Sequence, residues 1–91
     1  MEVLQTNRFA KAYKKLHKNQ LAEVNAALCL IIENPAIGEQ KKGDLSDVFV
    51  YKFKMNKQLT LIAYTFEAEK LILTLLALGS HENFYRDIKR T

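Results

Sequence analysis

Hydrophobic residues recur with a helical period in the first third of this chain. Phe9, Tyr13 and Leu16 are spaced four and three residues apart, which predicts an amphipathic helix over residues 8–17. A second helix is indicated by Leu21, Val24, Leu28 and Ile31. It should end before Asn34-Pro35, because proline disfavours helical geometry in the residue preceding it. Two helices joined by a short link predict a helical hairpin.

From residue 48 the period changes to two, as in a β-strand. Phe49, Tyr51, Phe53 and Met55 fall on one face, and Val48, Val50, Lys52 and Lys54 fall on the other. A turn at Asn56-Lys57 should lead into a second strand over residues 59–66. Residues 71–78 are apolar at nearly every position, which predicts a central strand buried on both faces.

The ends of the chain and the stretch after Pro35 complete the predicted order. Residues 2–5 predict a short edge strand, and residues 36–47 predict a loop. Ser80 could cap a short C-terminal helix. We therefore expect an α+β fold in which two N-terminal helices pack on one face of an antiparallel sheet. The aromatic face should receive the helices, and the face with Lys52 and Lys54 should stay free for a ligand.

Length and composition limit the class of protein. The chain has 91 residues, so a single domain over 1–91 is expected. Fourteen basic against 10 acidic residues suggest an anionic partner, although this balance is also ordinary for a small domain. The single cysteine, Cys29, excludes an intramolecular disulfide and should be inert packing. No apolar run approaches the roughly 18 residues of a membrane span, so we expect a cytoplasmic protein with no membrane partner.

Lys52 and Lys54 are the first candidates for chemistry. Two residues apart on one strand, they should project from the same face about 7 Å from each other. Two ammonium groups at that spacing suit adjacent phosphates, or one phosphoryl group held from two sides. The alternative is a solvated strand face that lysines keep soluble.

His81 and Tyr85 are the candidates near the C-terminus. His81 follows the last predicted strand and could transfer protons near neutral pH, although a lone surface histidine is commoner. Tyr85 would share a helical face with His81 and could stack on a base, or simply pack on the sheet.

Other basic residues are candidate RNA contacts or solvated charges. They are Arg8, Lys11, Lys15, Lys57 and Arg86. His17 has no second histidine or cysteine at ligand spacing, and glycine-rich phosphate loops are absent, so no metal or cofactor is expected.

Several short motifs occur in an order that resembles the RelE/ParE superfamily of bacterial type II toxin–antitoxin toxins. They are Asn7-Arg8-Phe9, Asn34-Pro35-Ala36-Ile37-Gly38, Lys42-Gly43-Asp44-Leu45 and Gly79-Ser80-His81-Glu82-Asn83-Phe84-Tyr85. The last is similar to the Gly-Thr-His ending, closed by an aromatic, of YafQ-like members. The resemblance implies a RelE-like fold and a cognate antitoxin that wraps the toxin. Operator DNA would be bound only through that complex.

In the RelE and YafQ branches the resemblance implies a metal-independent endoribonuclease, or mRNA interferase, that cuts messenger RNA on the ribosome. Such a toxin inhibits translation and arrests growth. Lys52 and Lys54 resemble the paired strand lysines of RelE, and His81 matches the catalytic histidine of YafQ. Tyr85 stands at the aromatic position, which makes these four residues the expected catalytic set.

One departure leaves an alternative open. RelE-like members carry an arginine on the next strand, whereas Thr60-Leu61-Ile62-Ala63-Tyr64 has no basic residue. The ParE branch shares the fold but inhibits DNA gyrase without catalysis. A gyrase inhibitor is therefore the alternative expectation, and a non-toxic remnant that only binds its antitoxin is a third.

Overall fold

The computed structural model describes residues 1–41, 48–55 and 57–80. In this part of the chain two helices lie over one five-stranded sheet with the order β1-β5-β4-β3-β2. The strands are β1 (Glu2–Gln5), β2 (Glu39–Gln40), β3 (Phe49–Met55), β4 (Gln58–Glu67) and β5 (Ile72–Ser80). The helices are α1 (Asn7–Lys14) and α2 (Lys18–Glu33), and a short 3-10 turn spans Pro35–Ile37. The expected α+β fold is confirmed, while the expected C-terminal helix lies outside the described residues.

The start of α1 is fixed to the sheet by one side chain. The Thr6 hydroxyl accepts a hydrogen bond from the Phe9 backbone N–H at 3.2 Å, which caps the helix. The same hydroxyl donates to the Leu76 carbonyl at 2.7 Å. Thr6 therefore joins the first turn of α1 to β5, against which this helix packs.

The sheet is mostly antiparallel rather than wholly so. β2, β3, β4 and β5 are antiparallel neighbours, whereas β1 runs parallel to β5 at one edge. A parallel pair needs a crossover, and the two helices together with β2, β3 and β4 lie between β1 and β5 in the chain. The two-residue strand β2 falls inside the stretch that the sequence predicted as a loop.

The strand predicted at residues 71–78 is present as β5, which lies inside the sheet between β1 and β4, but it is neither the middle strand nor buried throughout. β4 occupies the middle of the sheet, and its residues 60–64 are buried without interruption. In β5 buried and partly buried residues alternate, and Leu71, just before it, is 56% exposed. Leu76 is an extra residue in β5, because Ala63 pairs with Ala77 while its neighbour Tyr64 pairs with Leu75. The bulge changes the face that alternate residues take, because Leu73 and Leu75 pack with the helices whereas Ala77 packs on the opposite face of the sheet.

The main core lies between the helices and the sheet. Phe9 of α1 and Ile31 of α2 meet Leu73 there, and all three are essentially inaccessible. Phe49, Tyr51 and Phe53 pack against the same cluster, so the expected aromatic face does receive the helices. Cys29, expected to be packed, is instead exposed on α2.

The opposite face of the sheet is not entirely open, which corrects the expectation of a free face. A second cluster of buried residues lies there, consisting of Val50, Leu61, Ala63 and Ala77. Lys52 and Lys54 are nevertheless exposed on this same face. The accessible part of the face is therefore the part that carries the two lysines.

Tyr64 connects the end of α2 to the centre of the sheet. Its hydroxyl donates to the Pro35 carbonyl at 2.6 Å and accepts from the Gly38 N–H at 3.0 Å. Its ring is fully buried and stacks on Phe49 with the centroids 5.6 Å apart. Burial raises the pKa of Tyr64 above its usual range, although the hydrogen bond from Gly38 acts the other way.

Tyr64→Phe should destabilise the protein by about 1–3 kcal/mol, because it leaves the Gly38 N–H and the Pro35 carbonyl without their partner. Chemical denaturation measures this loss. Tyr51→Phe is the matched control, since the Tyr51 hydroxyl makes no comparable bond in the described structure. Equal effects of the two substitutions would contradict the role given to the Tyr64 hydroxyl.

The same pair of proteins should differ in alkali. The folded state holds the Tyr64 proton more tightly than the unfolded state, because its pKa is raised. The contribution of this group to the free energy of unfolding is therefore fully present below the ordinary tyrosine pKa of about 10 and falls as pH rises beyond it. Tyr64→Phe should lose less unfolding free energy than the wild type between about pH 9 and 11. Parallel curves of stability against pH would refute this.

Gly38→Ala should also destabilise the fold, and the cost should depend on Tyr64. A Cβ at position 38 would lie 2.5 Å from the Tyr64 hydroxyl oxygen, closer than such atoms can approach. In the Tyr64→Phe background that oxygen is absent, so Gly38→Ala should cost less there. A double-mutant cycle measures this coupling, and strictly additive effects would exclude a direct clash.

Candidate phosphate-binding face

Lys52 and Lys54 lie where the sequence predicted them. Both are exposed, and they alternate along β3 with Tyr51 and Phe53, which face the helices. In the register of the sheet, Lys52 is opposite Leu61 and Lys54 is opposite Leu59. The two ammonium groups therefore emerge on the face away from the helices, at the end of β3 that leads into the β3–β4 turn.

Glu39 and Lys41 join this face from the neighbouring edge strand. Glu39 pairs with Val50, which places its side chain on the side of Lys52. Its carboxylate lies 3.6 Å from Lys41 Nζ and 3.7 Å from Lys52 Nζ. Sequence reasoning missed both residues, because they fall in a stretch whose composition predicted only a loop and whose pairing with β3 has no local signature.

The last strand ends at the level of the two lysines. Ser80, the final residue of β5, pairs with Thr60, and Thr60 pairs with Phe53, which lies between Lys52 and Lys54. Adjacent strands are about 4.8 Å apart, so the Ser80 backbone is roughly 10 Å from that of Phe53. β5 therefore ends level with the lysine-bearing end of β3, with β4 between the two strands.

The remaining residues predicted to contact RNA lie in the helical layer, in the β3–β4 turn or outside the described residues. Lys11 is exposed on α1, Lys15 is exposed immediately after it, and Arg8 is half-buried in its first turn. These three belong to the helical layer, on the far side of the sheet from Lys52. Lys57 is exposed in the β3–β4 turn with a positive φ of 68°. His81, Tyr85 and Arg86 lie outside the described residues.

Neither metal ligands nor a membrane span occur in the described part of the chain. Within residues 1–41, 48–55 and 57–80, no three His, Cys, Asp or Glu side chains are grouped so that they could hold a metal ion. No helix among these residues is long and apolar enough to cross a bilayer. The described residues place ammonium groups and the Glu39 carboxylate on this face.

Comparison with known proteins decides the family. Residues 3–89 match the sequence model of the ParE-like toxin of type II bacterial toxin–antitoxin systems. The chain belongs to this family of toxins. No curated protein matches it in sequence.

Solved structures agree on the fold of this ParE-like toxin. A mutant of E. coli RelE in the free state superposes with a TM-score of 0.71 at 20% identity, over 98% of this chain and 95% of that chain. RelE in the RelBE complex of Mycobacterium tuberculosis gives a TM-score of 0.74 at 18% identity, over 88% and 96% of the two chains. The YoeB/ParE toxin of Agrobacterium tumefaciens gives 0.72 at 15%, over 89% and 99%. At these identities the likeness establishes the shared fold.

The exposure of the strand lysines predicts that they can be removed without loss of stability. A Lys52→Ala and Lys54→Ala double variant should keep its unfolding free energy to within about 0.5 kcal/mol per substitution. Val50→Ala, on the same face of β3 but buried, should cost about 1–3 kcal/mol. Chemical denaturation tests both. A large loss in the lysine variant would show that the lysines support the fold.

Proposed function

We propose that this toxin is a ribosome-dependent mRNA endoribonuclease that inhibits translation. One observation supports this most directly: β5 ends, one residue before His81, at the level of Lys52 and Lys54. Ser80 is the last described residue before His81 in the chain, and the nuclease proposal requires the His81 imidazole to reach the face that carries the two lysines. A proton-transfer group acting together with two cations would suit cleavage of a phosphodiester.

The proposed reaction is attack of an RNA 2′-hydroxyl on the adjacent 3′-phosphate. It requires removal of the hydroxyl proton, protonation of the leaving oxygen and stabilisation of the charged phosphorane. We assign proton transfer to His81 and phosphate charge to Lys52 and Lys54, either of which could also act as the base. Tyr85 would position the nucleotide by stacking. These groups do not require a metal for the chemistry proposed.

We propose a cognate antitoxin as the protein partner. The structural relatives include toxins solved with their antitoxins, from E. coli, M. tuberculosis and Pyrococcus horikoshii. In this proposal operator DNA is bound only through the toxin–antitoxin complex. A partner that binds the folded toxin would also stabilise it in proportion to its affinity and concentration.

Inhibition of DNA gyrase without catalysis is the second candidate. It is favoured by the composition of β4, which has no basic residue between Gln58 and Glu67. A RelE-type nuclease would be expected to place an arginine on this strand. The family model that matches the chain is also named for ParE. The two functions predict different cellular targets for the same fold.

Removal of the proposed catalytic groups should abolish growth arrest. His81→Ala should lower message cleavage by about 10²- to 10⁴-fold, as expected for loss of an acid–base group. The Lys52→Ala and Lys54→Ala double variant should lose at least about 10²-fold through lost charge stabilisation. Cleavage is measured by primer extension on messages in a translating extract. Lys70→Ala is the control, because Lys70 is also an exposed lysine paired with a glutamate, in the β4–β5 turn.

Antitoxin binding must be measured on the same variants, so that misfolding is not taken for lost catalysis. Full toxicity of His81→Ala with intact antitoxin binding would refute its catalytic role. A gyrase supercoiling assay with the wild-type toxin then separates the candidates. Inhibited supercoiling with uncut messages would replace the nuclease proposal by the inhibitor.

A further inference from the structure

Lys52 of β3 and Lys41, the residue just after β2, both contact one carboxylate at the β2–β3 edge. The Glu39 carboxylate is 3.6 Å from Lys41 Nζ through one oxygen and 3.7 Å from Lys52 Nζ through the other. A carboxylate held between two ammonium groups occupies the position that a phosphate would take between them. This pair, Lys41 and Lys52, differs from the pair of Lys52 and Lys54 along β3.

The backbone fixes the arrangement on both sides. Glu39 is paired with Val50, and the Lys41 N–H donates to the Val48 carbonyl at 2.9 Å, which extends the ladder beyond β2. Gly38, just before Glu39, is bonded to the buried Tyr64 hydroxyl. Main-chain hydrogen bonds therefore fix the backbone from which each of the three charged side chains projects. The two lysines are held near one another in the free protein.

These side chains are exposed enough to solvent for a phosphate to replace the Glu39 carboxylate. The Glu39 side chain is 62% exposed, Lys52 is 42% exposed and Lys41 is 20% exposed. Exposed ion pairs contribute little to stability, so the carboxylate can leave at small cost. The less exposed Lys41 would keep its ammonium group near the site. A backbone phosphodiester, like a carboxylate, shares one negative charge between two oxygens, so it can take the place of the carboxylate between the ammonium groups.

We propose that Lys41 and Lys52 form a binding site for a backbone phosphate of RNA, and that Glu39 is an internal competitor which this phosphate displaces. The inference rests on the proposed function, which assigns Lys52 to the substrate phosphate. It adds Lys41 as a phosphate contact and Glu39 as a charge that occupies the site in the free toxin and opposes the phosphate until it is displaced.

The test compares Glu39→Gln with the wild type for binding to a fluorescent single-stranded polyuridylate at low salt. Glu39→Gln should bind about three- to tenfold more tightly, since two exposed ion pairs no longer oppose the phosphate. The dependence on salt should also be steeper, because more phosphate charge is neutralised directly. Glu67→Gln is the matched control, as it breaks the Lys70 pair at 3.6 Å and changes net charge equally.

Lys41→Ala provides the reverse test in the Glu39→Gln background. It should weaken polyuridylate binding by about threefold or more, and Lys70→Ala should weaken it less. Equal affinities and salt slopes for Glu39→Gln and Glu67→Gln would overturn the inference, as would equal effects of the two lysine substitutions. Circular dichroism on each variant confirms that the fold is kept.

Cleavage on ribosomes separates this inference from the proposed function. If the wild type cleaves messages but Glu39→Gln binds RNA only as well as Glu67→Gln, the site is wrong and the nuclease stands. If Glu39→Gln binds RNA more tightly while no message is cut by any variant, the phosphate site stands and the nuclease is wrong.

Discussion

The hydrogen bonds of one buried hydroxyl determine where the lysine-bearing edge of the sheet begins. Tyr64 lies in the central strand, and its hydroxyl binds both Pro35 and Gly38 across the end of α2. The next residue, Glu39, enters β2 and pairs with β3. A shift of one residue at this point would turn the Glu39 carboxylate to the other face of the sheet, because strand side chains alternate. The core contact thus sets the position of a surface charge.

The two faces of the sheet have different roles because of how β3 divides its side chains. Its aromatic residues meet the helices, and its lysines point away from them. The burial of Val50 on the lysine face shows that this face is partly covered at its middle. Among the described residues, the β2 edge and the end of β3 bring together the exposed charges of Glu39, Lys52 and Lys54 on this face. Lys11 and Lys15 of the helical layer cannot extend this surface, since the sheet lies between them.

Local periodicity explains which parts of the fold the sequence could predict. The repeats that include Phe9 and Ile31 depend on contacts within one helix face, and alternation in β3 depends on one strand, so both were confirmed. The identity of the central strand depends on the order of pairing, which no local pattern encodes. The run in β5 predicted a fully buried strand because apolar residues occupy both of its faces, with Leu73 and Leu75 toward the helices and Ala77 on the other side. Cys29 is exposed because α2 is apolar on more than its packed face.

The candidate site was only half predictable for the same reason. Lys52 and Lys54 are neighbours along one strand, whereas Lys41 and Lys52 contact the same carboxylate, that of Glu39, only because β2 pairs with β3. The pairing of β2 with β3 also matters because β4 has no basic residue. A phosphate clamp needs positive charge from two directions, and β4 contributes none within Gln58–Glu67. If β2 supplies the second direction through Lys41, the absence of an arginine on β4 does not by itself argue against phosphate chemistry, and the choice between nuclease and gyrase inhibitor depends on His81 instead.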